Sequence, residues 1–151
     1  MANNKFTRGV ANCNPANIRK GSNWIGLSVD QNDREFCTFK DMVFGVRALL
    51  VLLRTYKYKY DCVTLREVIN RFAPACENNT WAYMNYVRDY LKGYTDNKGF
   101  SINVDFDLTI NKWINKKTPA FYIYPLCKAI CMLESRYDLS ETLYDRACTL
   151  L

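Results

Sequence analysis

Thr118-Pro-Ala-Phe-Tyr-Ile-Tyr-Pro-Leu-Cys-Lys-Ala-Ile-Cys-Met-Leu-Glu-Ser135 is the most informative run of the chain. Thr118 followed by Pro119 reads as a helix start, an N-cap and then a residue with no amide hydrogen to lose. Pro125 lies further in, so the pattern predicts a kink there or a fresh helix beginning at that proline. Beyond it, Leu126, Ala129, Ile130 and Leu133 repeat at helical spacing and form an apolar face. Glu134 follows directly. A carboxyl at the end of a buried helix loses hydration, which favours its protonated form. That is how a general acid for cleaving a sugar–oxygen bond is prepared. The plainer alternative is a Glu134 that points to solvent at a helix end.

Working outward, the 151 residues predict one domain over 1–151, with 49% hydrophobic and 15% aromatic residues supplying a globular core. A net charge of +6 points to an anionic partner, for which a bacterial wall, a nucleic acid or a membrane surface would each qualify, and solubility alone also explains it. No apolar run approaches the ~20 residues needed to span a bilayer. Met1-Ala-Asn-Asn-Lys-Phe6 lacks the apolar centre of a secretion signal, so synthesis in a host cytoplasm without a signal peptide is expected. The seven cysteines are odd in number, scattered and without a C-x-x-C pair, and there is no histidine. They read as reduced, mostly buried thiols. No metal site or cofactor is expected, and Ser-His and Cys-His nucleophiles are excluded, which leaves carboxylates for any acid–base chemistry.

The N-terminal part, Thr7 to Gly26, carries turn chemistry at Asn14-Pro15 and Gly21-Ser22 and reads as a loop with short extended pieces. Its asparagines beside Trp24 make a sugar-binding lip, or Trp24 pins the loop to the core. Trp24–Val29 and Glu35–Phe39 are expected to pair as a hairpin. Lys40-Asp41 opens the clearest helix, with Met42, Val46, Leu49, Leu50, Leu53 and Tyr56 on one face. Tyr56-Lys-Tyr-Lys-Tyr60 interleaves bases with aromatics, but five residues read as a solvated helix end, so nucleic acid is not an expected partner. Thr64-Leu-Arg-Glu67 is a capping box for a helix stopping before Pro74. Thr80 is expected to cap the next helix, whose inner face is Tyr83, Met84, Val87, Tyr90 and Leu91. A loop from Gly93 to Gly99, a strand or extended crossing over Ser101–Leu108 and a short helix over Ile110–Asn115 follow. Asp138-Leu-Ser-Glu141 starts a terminal helix to Leu151. The class is mainly α with a small β element.

Asn14-Pro-Ala-Asn-Ile-Arg19, Trp24-Ile-Gly26, Phe36-x-x-Phe39, Gly45-Val-Arg-Ala48, Arg71-x-Ala-Pro74 and Glu77-Asn-Asn-Thr80-x-x-Tyr83 recur in this order in a family of phage and prophage proteins. The chain resembles that family well over residues 7–90 and loosely in its last third. Its members are described as virion structural proteins, and many look like lysozyme-type peptidoglycan hydrolases. Two departures stand out: Ala16 replaces the usual Gly, and Leu133-Glu-Ser-Arg136 replaces His-Glu-Asn-Gly. A looser similarity links Asn17-Ile-Arg-Lys and Trp24-x-Gly26 to cell-wall glucosaminidases. Pro74-x-x-Glu77-x-x-Thr80-x-x-Tyr83-x-x-x-Val87 is similar to the closing segment of lytic transglycosylases. In both groups the catalytic Glu precedes these segments, whereas Glu134 follows them.

The resemblance therefore implies a single lysozyme-like domain with a small β-hairpin, circularly permuted so that the Glu helix lies near the C-terminus. It implies a glycosidase or lytic transglycosylase acting on peptidoglycan, packaged in a phage particle among other virion proteins and acting at the cell wall. Glu134 would be the acid–base group. Glu77 is the first candidate for a second carboxylate, ahead of Asp105 and Asp138, unless it only brackets the start of the following helix. Asn14, Asn17, Trp24, Asn79 and Tyr83 would line the glycan groove. The alternative from another class is a non-catalytic virion component or wall-binding module on the same scaffold.

Overall fold

A computed structural model of the chain describes residues 6–94, 99 and 103–151. The described residues form helices α1 (Arg8–Ala11), α2 (Met42–Tyr60), α3 (Leu65–Phe72) and α4 (Thr80–Lys92), strands β1 (Trp113–Asn115) and β2 (Thr118–Pro119), and helices α5 (Ile123–Ser135) and α6 (Glu141–Cys148). The fold is mainly α with one two-stranded antiparallel sheet, β1 against β2. Two compact units make up the chain, Met1–Val51 with Ile130–Leu151, and Leu52–Ala129.

In the first unit, the buried face of α2 contributes Val46, Leu49 and Leu50, and the end of α5 contributes Ile130 and Cys131. The segments around residues 27 and 39 meet as expected, but through isolated antiparallel bridges, Arg19 with Phe36 and Leu27 with Phe39, instead of a continuous ladder. The reason lies in their side chains. The Ser28 amide donates to the Thr38 carbonyl at 2.9 Å, but the reciprocal pair is taken by Gln31, which donates to the Ser28 carbonyl and accepts from the Thr38 amide. Helix α1 interrupts what reads as a loop, and Thr7 caps it by accepting from the Val10 amide. The last helix is shorter than expected at both ends. Ser140 caps it through the Leu143 amide, and it stops at Cys148.

The second unit holds α3 and α4. Thr64 accepts from the Glu67 amide at 3.2 Å while Glu67 accepts from the Val63 amide at 3.1 Å, a capping box displaced by one residue. The cap of α4 is Asn79, which accepts from the Ala82 amide, and not Thr80. Thr80 is turned inward and donates to the Ala73 carbonyl at 2.5 Å, tying α4 to the end of α3. The expected inner face of α4 is otherwise in place, with Tyr83, Met84, Val87 and Leu91 buried.

Thr95–Lys98 of the expected Gly93–Gly99 loop, and Ser101 and Ile102 of the next segment, lie outside the described residues. From residue 103 the chain forms no strand and ends its crossing in one isolated antiparallel bridge, Thr64 with Thr109. The Phe106 and Leu108 carbonyls accept from the Arg66 and Leu65 amides, which satisfies two first-turn donors of α3.

Two expectations fail at the sheet. Ile110–Asn115 is no helix, because its end forms β1, and Thr118-Pro119 is β2 instead of a helix start. Asn111 explains the first. Its side chain is fully buried. It donates to the Leu53 carbonyl at 2.8 Å and the Cys62 carbonyl at 2.9 Å, and it accepts from the Trp113 indole at 2.9 Å. Those bonds hold the segment extended against α2. Pro119 fits the edge of a two-stranded ribbon, where no amide hydrogen is required of it. Helix α5 instead begins at Ile123, so Pro125 sits in its first turn, where the missing N–H is not needed. All seven cysteines are free thiols.

Asn111→Ala strands two carbonyls and an indole N–H in the core. Each such group costs about 1–3 kcal/mol, so a total loss of at least about 3 kcal/mol and a midpoint lower by several degrees or more are expected in thermal unfolding. An unchanged midpoint would show that Asn111 does not hold this segment.

Candidate functional site

Glu134 lies at the end of α5 and is half-buried. The last turn of that helix is closed from one side by the N-terminal segment. The Thr7 hydroxyl donates to the Ser135 carbonyl at 2.7 Å. A Cβ at Gly9 would collide with the Ser135 side chain, so only glycine lets α1 lie this close.

From the other side comes the Asn14–Ile18 loop. Asn14 is fully buried. It donates to the Ile18 and Cys37 carbonyls, each at 2.9 Å, and accepts from the Ile18 amide at 2.8 Å. The loop so closed puts Asn17 in the left-handed conformation, φ 50°, which asparagine tolerates better than most residues. The Asn17 amide nitrogen then donates to Glu134 Oε2 at 3.0 Å and to the Glu134 carbonyl at 3.2 Å. This pairing joins residues far apart in sequence and fixes where the carboxyl points.

Two residues, Ala16 and Arg136, depart from the pattern of the family that the chain resembles. Ala16 is buried but does not adopt positive φ, so its methyl in place of a glycine hydrogen strains no backbone. Arg136, at the position where the family that the chain resembles carries glycine, does adopt it, at φ 51°. Its amide donates to the Met132 carbonyl at 2.9 Å, and the Tyr137 amide donates to Cys131 at 3.2 Å. The turn that glycine would favour is kept with an arginine in it.

Beside this site Arg8 donates to both carboxylate oxygens of Asp33, from Nε and Nη2, each at 2.6 Å, and its guanidinium lies 4.4 Å from the Phe36 ring centre. Asp33 also accepts from Asn12 and from the Glu35 and Phe36 amides. The Arg8 guanidinium, followed by the Phe36 amide, holds the Asp33 carboxyl well below the usual carboxylate range. Asp33 is therefore a fixed anion that ties the loop to α1. Sequence reasoning missed Thr7, Gly9 and this clamp. The Thr7-Arg-Gly-Val run was a legible capping signal, but nothing local marks its partners.

Of the other expected groove residues, Asn14 is spent on backbone groups inside the loop and does not face a groove. Trp24 is half-buried, with its indole nitrogen enclosed and lacking a partner. Asn17 Oδ1 and Ser135 Oγ are likewise buried without partners, and all three such atoms among the described residues fall in this first unit.

Glu77, Asn79 and Tyr83 belong to the second unit. Glu77 is exposed on the turn after Pro74, with its amide donating to the Pro74 carbonyl at 3.0 Å. Asn79 is the α4 cap, and Tyr83 is buried with its ring 6.2 Å from that of Phe72. Among the described residues no group of three or more Cys, Asp or Glu side chains is placed to hold a metal ion. No helix there is long and apolar enough to cross a membrane.

The chain is 41% identical over 88 residues to "Protein P5" of Pseudoalteromonas phage PM2, a match covering 56% of this chain and 55% of that protein. The relative is a phage protein. The chain spans about half the length of that curated relative. No family model matches it.

Two variants test this geometry. Arg136→Gly relieves a left-handed non-glycine residue and should raise stability by about 0.5–1 kcal/mol, a Tm gain of a few degrees. A fall in Tm would mean that the arginine side chain supports the turn.

Asp33→Asn tests the clamp through pH. The folded-state pKa of Asp33 is depressed, so its contribution is present above the unfolded value near 3.9 and is lost as pH falls below it. Wild-type melting should therefore drop more steeply below about pH 4 than that of the variant. Parallel curves would exclude the clamp as a stabilising element.

Proposed function

We propose that the chain is a phage-encoded, virion-associated protein that cleaves the glycan strand of peptidoglycan, with Glu134 as its acid–base group. The observation that carries this reading is the setting of Glu134, which ends a buried helix and has its carboxyl oriented by Asn17. Three buried polar atoms without partners in the same unit add weight, since such atoms in a folded protein call for a reason and functional sites supply one. The similarity to a phage protein and the six ordered sequence blocks supply the biological context. A lysozyme-like scaffold with the Glu helix in permuted order is part of this proposal.

In the reaction, Glu134 gives its proton to the glycosidic oxygen as the bond to the leaving sugar breaks. It then takes a proton from an attacking water or from the sugar's own hydroxyl. Asn17 keeps the carboxyl at one angle through both steps. The second route asks for no further carboxylate as nucleophile or base, and we favour it for that reason. It leaves anhydro-sugar ends, whereas attack by water leaves reducing ends. The particle is the proposed place of packaging, and the wall the place of action.

A second reading rests on the similarity to a phage protein alone. On that reading the chain is a virion component or wall-binding module that no longer turns over.

Purified protein incubated with peptidoglycan should release soluble muropeptides. Glu134→Gln keeps the side chain's size and removes its titratable proton, so release should fall about 10²–10⁴-fold while the fold survives. A folded Glu134→Gln protein with full activity ends the assignment. Wall binding by the wild type with no release, under any condition of pH, moves the protein to the second reading. Glu77→Gln separates the routes. Near-complete loss with reducing-end products supports attack by water, and retained activity with anhydro products supports the sugar's own hydroxyl.

A further inference from the structure

Three tryptophans occur in the chain, and they differ sharply in setting. Trp113 is 5% exposed and Trp24 half-buried, whereas Trp81 is 61% exposed near the start of α4. An indole is a costly group to leave in water, and singly exposed small apolar side chains are far more ordinary.

The exposed ring is also held in place. It lies 5.2 Å from the Phe106 ring at an interplanar angle of 57°. Phe106 in turn sits under two guanidiniums, Arg88 at 4.8 Å and Arg66 at 5.4 Å from its centre. Trp81, Asn85 and Arg88 follow at i, i+4 and i+7, so they share one face of α4, alongside the face that buries Tyr83, Met84, Val87 and Leu91. Asn85 donates to the Trp81 carbonyl at 2.8 Å, which leaves its amide oxygen on that face. Arg88 is paired with Asp89 at 3.2 Å and Arg66 with Asp107 at 3.0 Å. Both aspartates are well exposed, and such surface pairs exchange readily for another carboxylate.

We propose that Trp81, Phe106, Asn85 and Arg88 form a binding platform for an amino-sugar strand that carries carboxylates. The proposal rests on the peptidoglycan reading above and assigns this surface to substrate anchoring, separate from the chemistry at Glu134. The C–H face of a pyranose packs on an aromatic ring whose orientation is already fixed, so little ordering is needed on binding. Asn85 accepts from sugar hydroxyl or amide groups. The guanidinium of Arg88 favours strands bearing lactyl or peptide carboxylates over neutral ones. Asn79 and Tyr83, which flank Trp81 in sequence, are occupied in capping and core packing. Trp81, between them, is presented outward.

Tryptophan fluorescence of the full chain tests this directly. Soluble muropeptide oligosaccharides should quench and blue-shift the exposed component saturably in wild type and in Glu134→Gln. In Trp81→Ala, affinity measured by calorimetry should fall about thirtyfold, the loss typical of an aromatic anchor. The far-ultraviolet circular dichroism should be unchanged, because the ring is largely outside the core. Trp81→Phe should recover part of the affinity. Arg88→Gln should weaken muropeptide binding while leaving the weaker binding of neutral N-acetylglucosamine hexamer as it was.

Unchanged muropeptide affinity in a folded Trp81→Ala protein overturns the platform, whatever happens at Glu134. Equal affinity of the wild type for the neutral hexamer overturns the preference for carboxylates. Tighter binding of oligothymidylate with a steep loss in salt makes the surface a nucleic-acid site and overturns the proposal. Full activity of Glu134→Gln with Trp81-dependent glycan binding removes the enzyme reading and leaves the platform standing.

Discussion

The constraint on which the first unit depends is a single buried amide. Asn14 has no contact with solvent and uses both of its amide hydrogens and its oxygen on main-chain groups at residues 18 and 37. Those three bonds close the loop tightly enough to hold Asn17 left-handed, and that conformation delivers its side chain to Glu134. The loop can lie on α2 only because residue 45 is glycine, where a Cβ would meet the Cys13 carbonyl. Each link is short and local, yet the chain of them fixes a carboxyl from the far end of the sequence. Removing a partner from such a buried set costs more than the bonds themselves contribute, because the remaining groups lose water and gain nothing.

A similar device organises the second unit. Asn111 spans α2, the turn after it and the Trp113 indole. In both places an asparagine does what a helix or ladder would otherwise do, which is to satisfy main-chain groups in a segment with irregular backbone. Buried amides of this kind specify one arrangement, because any alternative packing leaves several groups unsatisfied together.

These devices also mark where the sequence was legible. Helix α2 could be read from its apolar spacing, and α3 from Thr64 and Glu67, because both signals are local. Helix α5 was legible in its buried face and in the placing of Glu134 at its end. Its start was misread, since Thr118-Pro119 fits an N-cap and a ribbon edge equally well and only the partner strand decides between them. The Ile110–Asn115 segment failed for the same reason, as the carbonyls that Asn111 serves lie on α2 and on the turn that follows it. Asn17 was singled out as a sugar contact, but its role toward Glu134 rests on a contact that no spacing rule encodes. Asn14 was singled out for its polarity, and that polarity turned out to serve the backbone. Trp81 carries no sequence signal of its own, because a lone aromatic between capping and core residues has no periodicity to announce it.

The arginine at position 136 bears on how the chain relates to proteins with glycine there. A glycine after a catalytic carboxylate is commonly read as a requirement for flexibility, so its loss reads as loss of function. The structure separates two things which that reading joins. The backbone conformation that glycine favours is still adopted, at φ 51°, and its amide is hydrogen-bonded to Met132. What has changed is the strain, of about 1–2 kcal/mol for a non-glycine residue. Such strain persists only where surrounding contacts over-determine the turn, and here Thr7, Gly9 and Asn17 do so from two sides. The replacement therefore does not by itself disable the site.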